Sequence, residues 1–377
     1  MKNRNRWILI GFCGLMVISA LVSALRRHHV EPPSSFSNPN PVSRFAPRQM
    51  PIEGINPARQ YSDALANAVA KVMPSVVVIR TEKVEYRKVP LDMFGFRYNI
   101  VPEQLAGEGS GVIIGERGYV LTSWHVLEGA DSRSVEVVLN NGTKLPAQYI
   151  GHDKSADLAV LKIKGEETSW PAVEWGDSDA LRVGAVVIAI GSPYSFQSSV
   201  TVGNVSQKGR RIHLLPYEDF IQTDASITAG NSGGPLIDVD GRLVGINTAV
   251  LIQAKQEGVD IGFSTPSNLA FVIAQSLIEK GKHEWPWVGA FFGTTGVPGD
   301  TRLQVTQVWR DTPAARAGMQ VGDVVLAVND RQIKDEYDIP RVIYNHSVGK
   351  KLWFQTERNN KKQPAFELVL EEFPGNP

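Results

Sequence analysis

Short runs of alternating or continuous hydrophobic residues cover most of the chain after residue 74. Examples are VVVIRTEKV, GYVLTS, VEVVL, DLAVLKI and VGAVVIAIG, each bounded by Gly, Pro or Asn-Gly. This pattern is typical of antiparallel strands in sandwiches and barrels, and the regular strand-helix alternation of parallel βαβ units does not occur. The sequence therefore predicts a fold dominated by β structure.

Two segments show helical periodicity instead. Residues 61–73 place apolar side chains three and four positions apart, and Pro74 follows them. Residues 267–280 show the same spacing, with Ser267 as the predicted N-cap and Gly281 as the predicted C-terminal stop. The second helix is expected to close a domain.

The length of 377 residues exceeds the usual size of one hydrophobic core, which predicts two domains and a non-globular segment. We expect the first domain to cover residues 59–282. A second compositional unit, residues 284–375, is large enough to fold independently.

The N-terminal segment predicts membrane attachment. Residues 7–25 carry no charge and would span about 28 Å as a helix, close to the thickness of a hydrocarbon core. Basic residues before this run place residues 1–6 in the cytoplasm and the remainder across the membrane. The alternative is a cleaved signal peptide ending near Ser23. Residues 26–58, rich in Pro and Ser, are predicted to form an extended tether.

Composition excludes several function classes. Lys plus Arg equals Asp plus Glu at 39 each, and the folded part shows no basic stripe, so a nucleic-acid partner is not expected. The single cysteine, Cys13, lies inside the apolar run and can form neither an intramolecular disulfide nor a multi-cysteine metal site. No metal or organic cofactor is expected.

The most specific local motif is GNSGGPL, residues 230–236, between two apolar strands. A nucleophilic serine needs its Oγ on a sharp turn while neighbouring backbone N–H groups converge on the substrate oxygen. The motif predicts Ser232 as nucleophile and an oxyanion hole at Gly230, Asn231 and Ser232, formed by the amides of Gly230 and Ser232. The alternative is an ordinary glycine-rich turn.

A serine nucleophile needs a base, and His125 is the histidine at the end of an apolar strand, in GYVLTSWHV. Asp157 opens the apolar run DLAVLKI, where a buried carboxylate requires a partner. The order His125, Asp157, Ser232 is that of the chymotrypsin-like class, which is a double β-barrel. The alternatives are a strand-end core role for His125 and a loop-cap role for Asp157.

Ser226, Ile227 and Thr228 are the predicted S1 specificity pocket. Ser226 lies six positions before the nucleophile, where trypsin-type enzymes carry an aspartate, so a cationic substrate side chain would find no countercharge. We expect cleavage after small or medium aliphatic residues.

Several segments resemble the successive signatures of the HtrA (high-temperature-requirement A) serine proteases: GYVLTSWHV, SADLAVLKI, IQTDASITAGNSGGPLID and GRLVGINTAV. DTPAARAGMQVGDVVLAVND resembles the PDZ domain of that family. The resemblance covers about residues 60–375 and, with an anchor and one PDZ domain, is similar to the DegS-like branch. It implies a homotrimeric, stress-response protease on the periplasmic side of a bacterial inner membrane, acting in protein quality control on misfolded or regulatory envelope proteins.

Two features depart from the family pattern. Trp124 stands where members commonly carry Asn, which implies a bulkier wall beside His125. Residues 84–106, where the family places a regulatory loop, are fewer than in the cage-forming members.

In the C-terminal unit, Val288, Gly289, Ala290 and Phe291 occupy the segment where PDZ domains bind a peptide's terminal carboxylate. The resemblance implies that such binding regulates the protease. The alternative for the segment is a plain core strand. The alternative for the whole chain is a PDZ-bearing chaperone or scaffold whose triad is mostly unassembled.

Overall fold

The computed structural model describes residues 56–90, 97–131, 133–167, 169–191, 199–212, 215, 217–248, 261–297, 300–334 and 338–375. The predicted cytoplasmic residues 1–6, the predicted anchor at 7–25 and nearly all of the predicted tether lie outside this part. Within it, every helix is too short or too polar to span a bilayer.

The described chain begins with helix α1, Pro57–Val72, which starts four residues before the helical pattern predicted it would. A 3-10 turn, Met73–Ser75, follows and contains the proline expected to end the helix. Ala68 and Val72 are buried in an apolar cluster that contains residues of two barrels. The helix therefore contributes to the core.

Six antiparallel strands form the first closed barrel. Their bounds are Val76–Pro90 (β1), Tyr98–Gly115 (β2), Tyr119–Ser123 (β3), Glu136–Val138 (β4), Lys144–Asp153 (β5) and Leu158–Ile163 (β6). The strand order is β1-β2-β3-β6-β5-β4, and pairing of β1 with β4 closes the ring. A one-turn helix, α2 (Trp124–Leu127), follows β3 directly.

Strands β1 and β2 continue beyond the barrel as a ribbon. They pair from Val76 with Val112 out to Pro90 with Tyr98. The predicted short regulatory loop at 84–106 thus has two long antiparallel strands in its described part.

Seven more strands form the second barrel. Their bounds are Glu174–Trp175 (β7), Val186–Gly191 (β8), Ser199–Arg210 (β9), Phe220–Thr223 (β10), Pro235–Ile237 (β11), Arg242–Thr248 (β12) and Gly262–Pro266 (β13). The order is β11-β8-β9-β10-β13-β12-β7, and a further pairing of β11 with β12 closes six of them into a ring. The fold is therefore the double β-barrel expected from the sequence.

Helix α3, Ser267–Lys280, follows the second barrel with the predicted bounds. Gly281 has φ 73° and donates its N–H to Leu277 at 2.8 Å, which is the left-handed stop expected there. The predicted N-cap was wrong, because Pro266 occupies that position and Ser267 is the first helical residue. The Ser267 hydroxyl instead donates to the Gly176 carbonyl at 2.9 Å.

The C-terminal domain is a small α+β unit. Its elements are β14 (Pro286–Trp287), β15 (Ala290–Val297), β16 (Asp300–Val308), α4 (Pro313–Arg316), β17 (Val324–Val328), β18 (Arg331–Gln332), α5 (Asp338–Tyr344), β19 (Lys351–Arg358), β20 (Lys361–Lys362), β21 (Phe366–Val369) and β22 (Glu371–Glu372). The main sheet has the order β15-β16-β17-β19-β20, and the domain has its own apolar core. Pro340 lies in the first turn of α5, where its missing N–H costs no helical hydrogen bond.

Charged residues connect the C-terminal domain to the second barrel and the segment beside it. Arg341 donates to Asp219 from Nε at 3.1 Å and from a terminal nitrogen at 2.8 Å, and only 10% and 13% of these side chains are exposed. Arg331 pairs with Asp179 at 3.0 Å. The C-terminal domain is therefore docked on the second barrel by ion pairs, one of which is largely buried.

Candidate active site

His125 and Asp157 come from neighbouring elements of the first barrel. His125 lies in α2 after β3, and Asp157 precedes β6, which pairs with β3. His125 Nδ1 lies 2.7 Å from Asp157 Oδ2, and the His125 backbone N–H donates to Asp157 Oδ1 at 2.9 Å. An ionised carboxylate can only accept, so Nδ1 carries the proton and Nε2 is the basic nitrogen, as a general base requires. The imidazole side chain is 30% exposed.

Asp157 is held in an unusual backbone conformation. Its φ of 53° lies in the left-handed region, which Asp and Asn enter more readily than other non-glycine residues. Its carbonyl oxygen accepts the Trp124 N–H at 3.1 Å, and its Oδ2 also accepts the Thr248 hydroxyl at 3.2 Å. The carboxylate is only 5% exposed, so its charge is compensated by three hydrogen bonds, two from His125 and one from Thr248.

Ser232 follows a 3-10 turn, Ala229–Asn231, and is buried where the two barrels meet. Its carbonyl oxygen accepts the N–H of Ser110 in the first barrel at 2.9 Å. The next residue, Gly233, donates its N–H to Asn247 of the second barrel at 2.8 Å. The turn that carries the predicted nucleophile is therefore fixed to both barrels by backbone hydrogen bonds.

The peptide groups of this turn have defined directions. Asn231 donates its N–H to the carbonyl three residues earlier at 2.9 Å, and the Gly230 carbonyl accepts the Ser110 hydroxyl at 2.7 Å. The Asn231 carbonyl accepts the Gly234 N–H at 3.0 Å. In the planar trans peptide between Asn231 and Ser232 the N–H points opposite to the carbonyl, so the Ser232 N–H points away from that hydrogen bond. The Asn231 amide is thus used inside the turn, and Gly230 and Ser232 remain the predicted oxyanion-hole donors.

Gly233 shows why this turn requires glycine. Its φ is 81°, and a Cβ there would overlap the Ser110 carbonyl oxygen and the Thr122 hydroxyl. Both the conformation and the space exclude a side chain.

The three residues predicted to form the S1 pocket lie in different environments. Ser226 is half-buried, and its carbonyl oxygen accepts the Thr201 hydroxyl at 2.8 Å and the Asn231 side-chain amide at 3.3 Å. Ile227 is 8% exposed and belongs to the apolar core of the second barrel, whereas Thr228 is exposed. Their role as a specificity pocket stays a prediction.

An aromatic stack adjoins the base. The Trp124 indole lies on the His152 imidazole with ring centroids 3.6 Å apart and planes 13° from parallel. The Tyr149 hydroxyl is hydrogen-bonded to His152 Nδ1, and the Lys154 ammonium lies 5.7 Å from the Trp124 ring centroid. Burial, together with the charge of Lys154, lowers the pKa of His152.

Asp153 links the turn before Asp157 to the C-terminal domain. Its Oδ1 accepts the Ala156 N–H at 2.9 Å and its Oδ2 accepts the Trp285 indole N–H at 2.9 Å. Burial raises the pKa of Asp153 although both hydrogen bonds oppose the shift. Trp285 stacks on Tyr217 with ring centroids 3.7 Å apart. Residues around the active site thus contact the start of the C-terminal domain.

A cavity of about 430 Å³ lies beside β15 and α5. It is lined by Val288, Ala290 and Phe291 of the predicted peptide-binding segment, by Ile339 and Ile343 of α5, and by Arg211 and Tyr217 of the protease-like domain. Val288 and Ala290 also belong to the domain core, while Phe291 is 47% exposed.

Gly289, the fourth predicted residue of that segment, does not line the cavity. Its φ is 82°, and a Cβ there would overlap the Thr312 side chain. Its carbonyl oxygen accepts the Trp309 N–H at 3.0 Å. Gly289 therefore allows the close packing at the entrance to β15.

Four residues of these sites were not found by sequence reasoning. Thr248 and Ser110 bond to the triad acid and the nucleophile turn, and Arg211 and Tyr217 line the cavity of another domain. The only local signal was that Thr248 lies within the segment GRLVGINTAV, one of those that carry the family resemblance.

Two families of domains match the chain. Residues 109–246 match the trypsin-like peptidase domain and residues 275–366 match the PDZ domain. A probable periplasmic serine endoprotease, DegP-like, from Brucella suis is 39% identical over 269 residues, which are 69% of this chain and 52% of that protein. One of the same name from Pseudomonas savastanoi is 40% identical over 68% of this chain and 54% of its own length. The chain spans about half the length of these curated relatives.

Solved structures match over most of their length. The HtrA-type protease AlgW with a tripeptide is 35% identical with a TM-score of 0.62, covering 83% of this chain and 98% of that one. AlgW with a decapeptide is 36% identical with a TM-score of 0.60, covering 83% and 99%. A serine endoprotease from Yersinia pestis is 31% identical with a TM-score of 0.51, covering 82% and 98%.

Proposed function

The chain belongs to the HtrA family of serine proteases, and from this premise we propose that it is a serine endopeptidase with Ser232, His125 and Asp157 as its triad. The observation that carries the proposal is the double hydrogen bond from His125 to the buried Asp157 carboxylate. That arrangement orients an imidazole and stabilises the imidazolium formed in catalysis.

The proposed reaction assigns one role to each of these residues. Ser232 Oγ attacks the substrate carbonyl carbon while its proton passes to His125 Nε2, and the amides of Gly230 and Ser232 stabilise the oxyanion. The imidazolium, held by Asp157, then gives that proton to the leaving amine, which leaves an acyl-enzyme. Water hydrolyses the ester, with His125 acting as base and then as acid.

The proposed substrates are misfolded or regulatory proteins of the bacterial envelope, cut after small aliphatic residues. Relatives named as periplasmic serine endoproteases support a periplasmic location. A role in protein quality control under stress is proposed from the family resemblance. Anchoring in the inner membrane by residues 7–25 and assembly as a homotrimer belong to the same proposal.

Peptide regulation through the PDZ domain is also part of the proposed function. The cavity beside β15 is lined by both domains, so a peptide bound there would touch Arg211 and Tyr217 of the protease domain. Tyr217 stacks on Trp285, whose indole is hydrogen-bonded to Asp153. These contacts are proposed to have two arrangements that differ in proteolytic activity. A peptide C-terminus that binds one arrangement more tightly than the other would increase its population and so change the activity.

Hydrolysis of casein and of a Val-rich peptide by the full chain tests the proposal, with Ser232→Ala as the inactive variant. Ser276→Ala is the matched control and should keep wild-type activity, because the Ser276 hydroxyl in α3 bonds to the Lys282 carbonyl and not to a residue of the predicted triad. Loss of a triad member can lower kcat on the order of a millionfold.

Peptides with free and with amidated C-termini test the regulation, because PDZ recognition requires the carboxylate. Activation by the free form alone supports it. A folded wild-type protein that hydrolyses nothing with either peptide would refute the endopeptidase and indicate a binding protein.

A further inference from the structure

Trp124, the residue before the proposed base His125, packs against its neighbours through the face of its indole ring. Trp124 is half-buried, and its indole lies almost parallel to the His152 imidazole at 3.6 Å. Its Nε1 is buried and has no hydrogen-bond partner among the described residues. A buried donor without an acceptor is destabilising. The favourable contact of this tryptophan is therefore sought at its ring face, which stacks on His152.

The stacked partner belongs to the segment that carries the triad acid. His152 pairs with Ala159 near the end of β5, and the turn that follows it ends at Asp157. Trp124 belongs to α2, the helix that carries His125. The stack therefore joins the two elements on which the proposed base and acid lie.

Asp157 needs such support because its conformation is intrinsically unfavourable. A non-glycine residue at φ 53° persists only where its surroundings determine it. The Asp157 carbonyl already accepts the Trp124 N–H at 3.1 Å. The indole stack adds a second connection between the same helix and the start of the same turn.

We propose that the Trp124–His152 stack positions the Asp157–His125 pair for catalysis, an inference that rests on the proposed protease function. Trp124 and His152 are positioning residues, since they act through the acid and the base. Displacement of a reacting group by about 1 Å can lower a rate on the order of a hundredfold, so a modest shift of the turn is measurable.

The first test measures kcat and KM for His152→Ala and His152→Phe in the full chain. We expect about a tenfold lower kcat for His152→Ala with KM within about twofold, because the stack orients the triad and does not bind substrate. His152→Phe keeps an aromatic face on Trp124 and should recover to within about threefold of wild type. Wild-type kcat in His152→Ala would overturn the proposal, as would no recovery in His152→Phe.

Two control variants separate positioning from general stability. Trp170→Phe removes part of a buried tryptophan beside Gly118, in the core cluster against which Trp124 packs, but among the described residues Trp170 makes no ring contact with Trp124 or His152. If Trp170→Phe lowers the melting temperature as much as His152→Ala does, it should still keep its kcat. Tyr149→Phe removes the hydroxyl bonded to His152 but keeps the stack, and it should also keep its kcat. A tenfold loss in Trp170→Phe would assign the effect to stability.

A readout without turnover distinguishes failure of this inference from failure of the proposed function. The His125 Nδ1 proton shared with Asp157 gives a low-field proton resonance, observable in Ser232→Ala. Combining this variant with His152→Ala should shift or broaden the signal, and combining it with His152→Phe should restore it. An unchanged signal overturns the positioning role even if the enzyme hydrolyses peptides. A changed signal in a protein that hydrolyses no peptide would support the effect of the stack on the Asp157–His125 pair and would refute the proposed protease function.

Discussion

Replacing Arg341 by Met should destabilise the docked C-terminal domain strongly. The substitution keeps most of the side-chain volume but removes the cation that faces Asp219. Among the described residues, Arg341 is the only cation within ion-pair distance of the Asp219 carboxylate. The variant would therefore leave a nearly buried carboxylate without its ion-pair partner, with only the more distant charge of Lys208 opposite it.

The magnitude follows from burial. Removing one partner of a buried ion pair costs about 3–5 kcal/mol, and we expect about 3 kcal/mol here because 13% of the Asp219 side chain is exposed. Asp219→Asn should cost less, about 1.5 kcal/mol, because Arg341 still faces Asp338 at 3.4 Å. The double variant should lie within about 1 kcal/mol of wild type, since it leaves no uncompensated charge.

The loss in Arg341→Met should depend on pH. Burial raises the pKa of Asp219 above its ordinary value of 3.8, and Arg341 opposes that rise. An acid whose pKa is higher in the folded protein binds more protons there, so folding stability falls as the pH rises through the interval between the two pKa values. Without Arg341 the folded pKa rises further. The loss in free energy of unfolding of Arg341→Met should be complete above that raised pKa. It should become smaller at lower pH, where Asp219 is protonated.

Urea unfolding of wild type, both single variants and the double variant, at neutral and acidic pH, measures these differences. Tryptophan fluorescence follows the transition, and Trp285, which stacks on Tyr217 and contacts Tyr344, contributes to it from the docked interface. A double variant as unstable as Arg341→Met would contradict this origin of the loss, because the loss would then not come from a charge left without its partner. So would a deficit that does not change with pH.

Other substitutions test the active site and its link to the C-terminal domain. Thr248→Val removes one donor to Asp157 and should lower kcat severalfold at unchanged KM, measured by peptide hydrolysis. Gly233→Ala should abolish hydrolysis or folding, as circular dichroism and activity would show, because a Cβ there overlaps the backbone of β2. Trp285→Phe leaves the buried Asp153 without its indole donor and should lower the free energy of unfolding by about 1–3 kcal/mol in urea. Wild-type behaviour in any of these variants would contradict the corresponding contact.

The double barrel was predictable because its strands are short, apolar and bounded by turn residues. The carboxylate of Asp157 was recognisable because an acid at the start of an apolar strand requires compensation. The structure places it 2.7 Å from His125, and its role as the triad acid stays a prediction. These features are local in sequence or follow from a specific motif.

Long-range contacts were not predictable in the same way. Thr248 reaches Asp157 across the seam between the barrels, and Arg341 meets Asp219 from a different domain. Neither contact leaves a periodic signal, because each depends on how separately folded units pack. The wrong N-cap at Ser267 has a local cause, since a cap position and the first helical position differ by one residue.

Helix α1 imposes an order on biosynthesis. Its Lys71 ammonium pairs with Glu174 at 2.8 Å and donates to the Asp240 carbonyl, which lies 169 residues further along the chain. At about 5–20 residues per second, translation takes roughly 8 to 34 seconds to cover that distance. Ala68 and Val72 cannot be covered by the second barrel until it has been synthesised. The first helix of the described part of the chain is thus among the last to be packed.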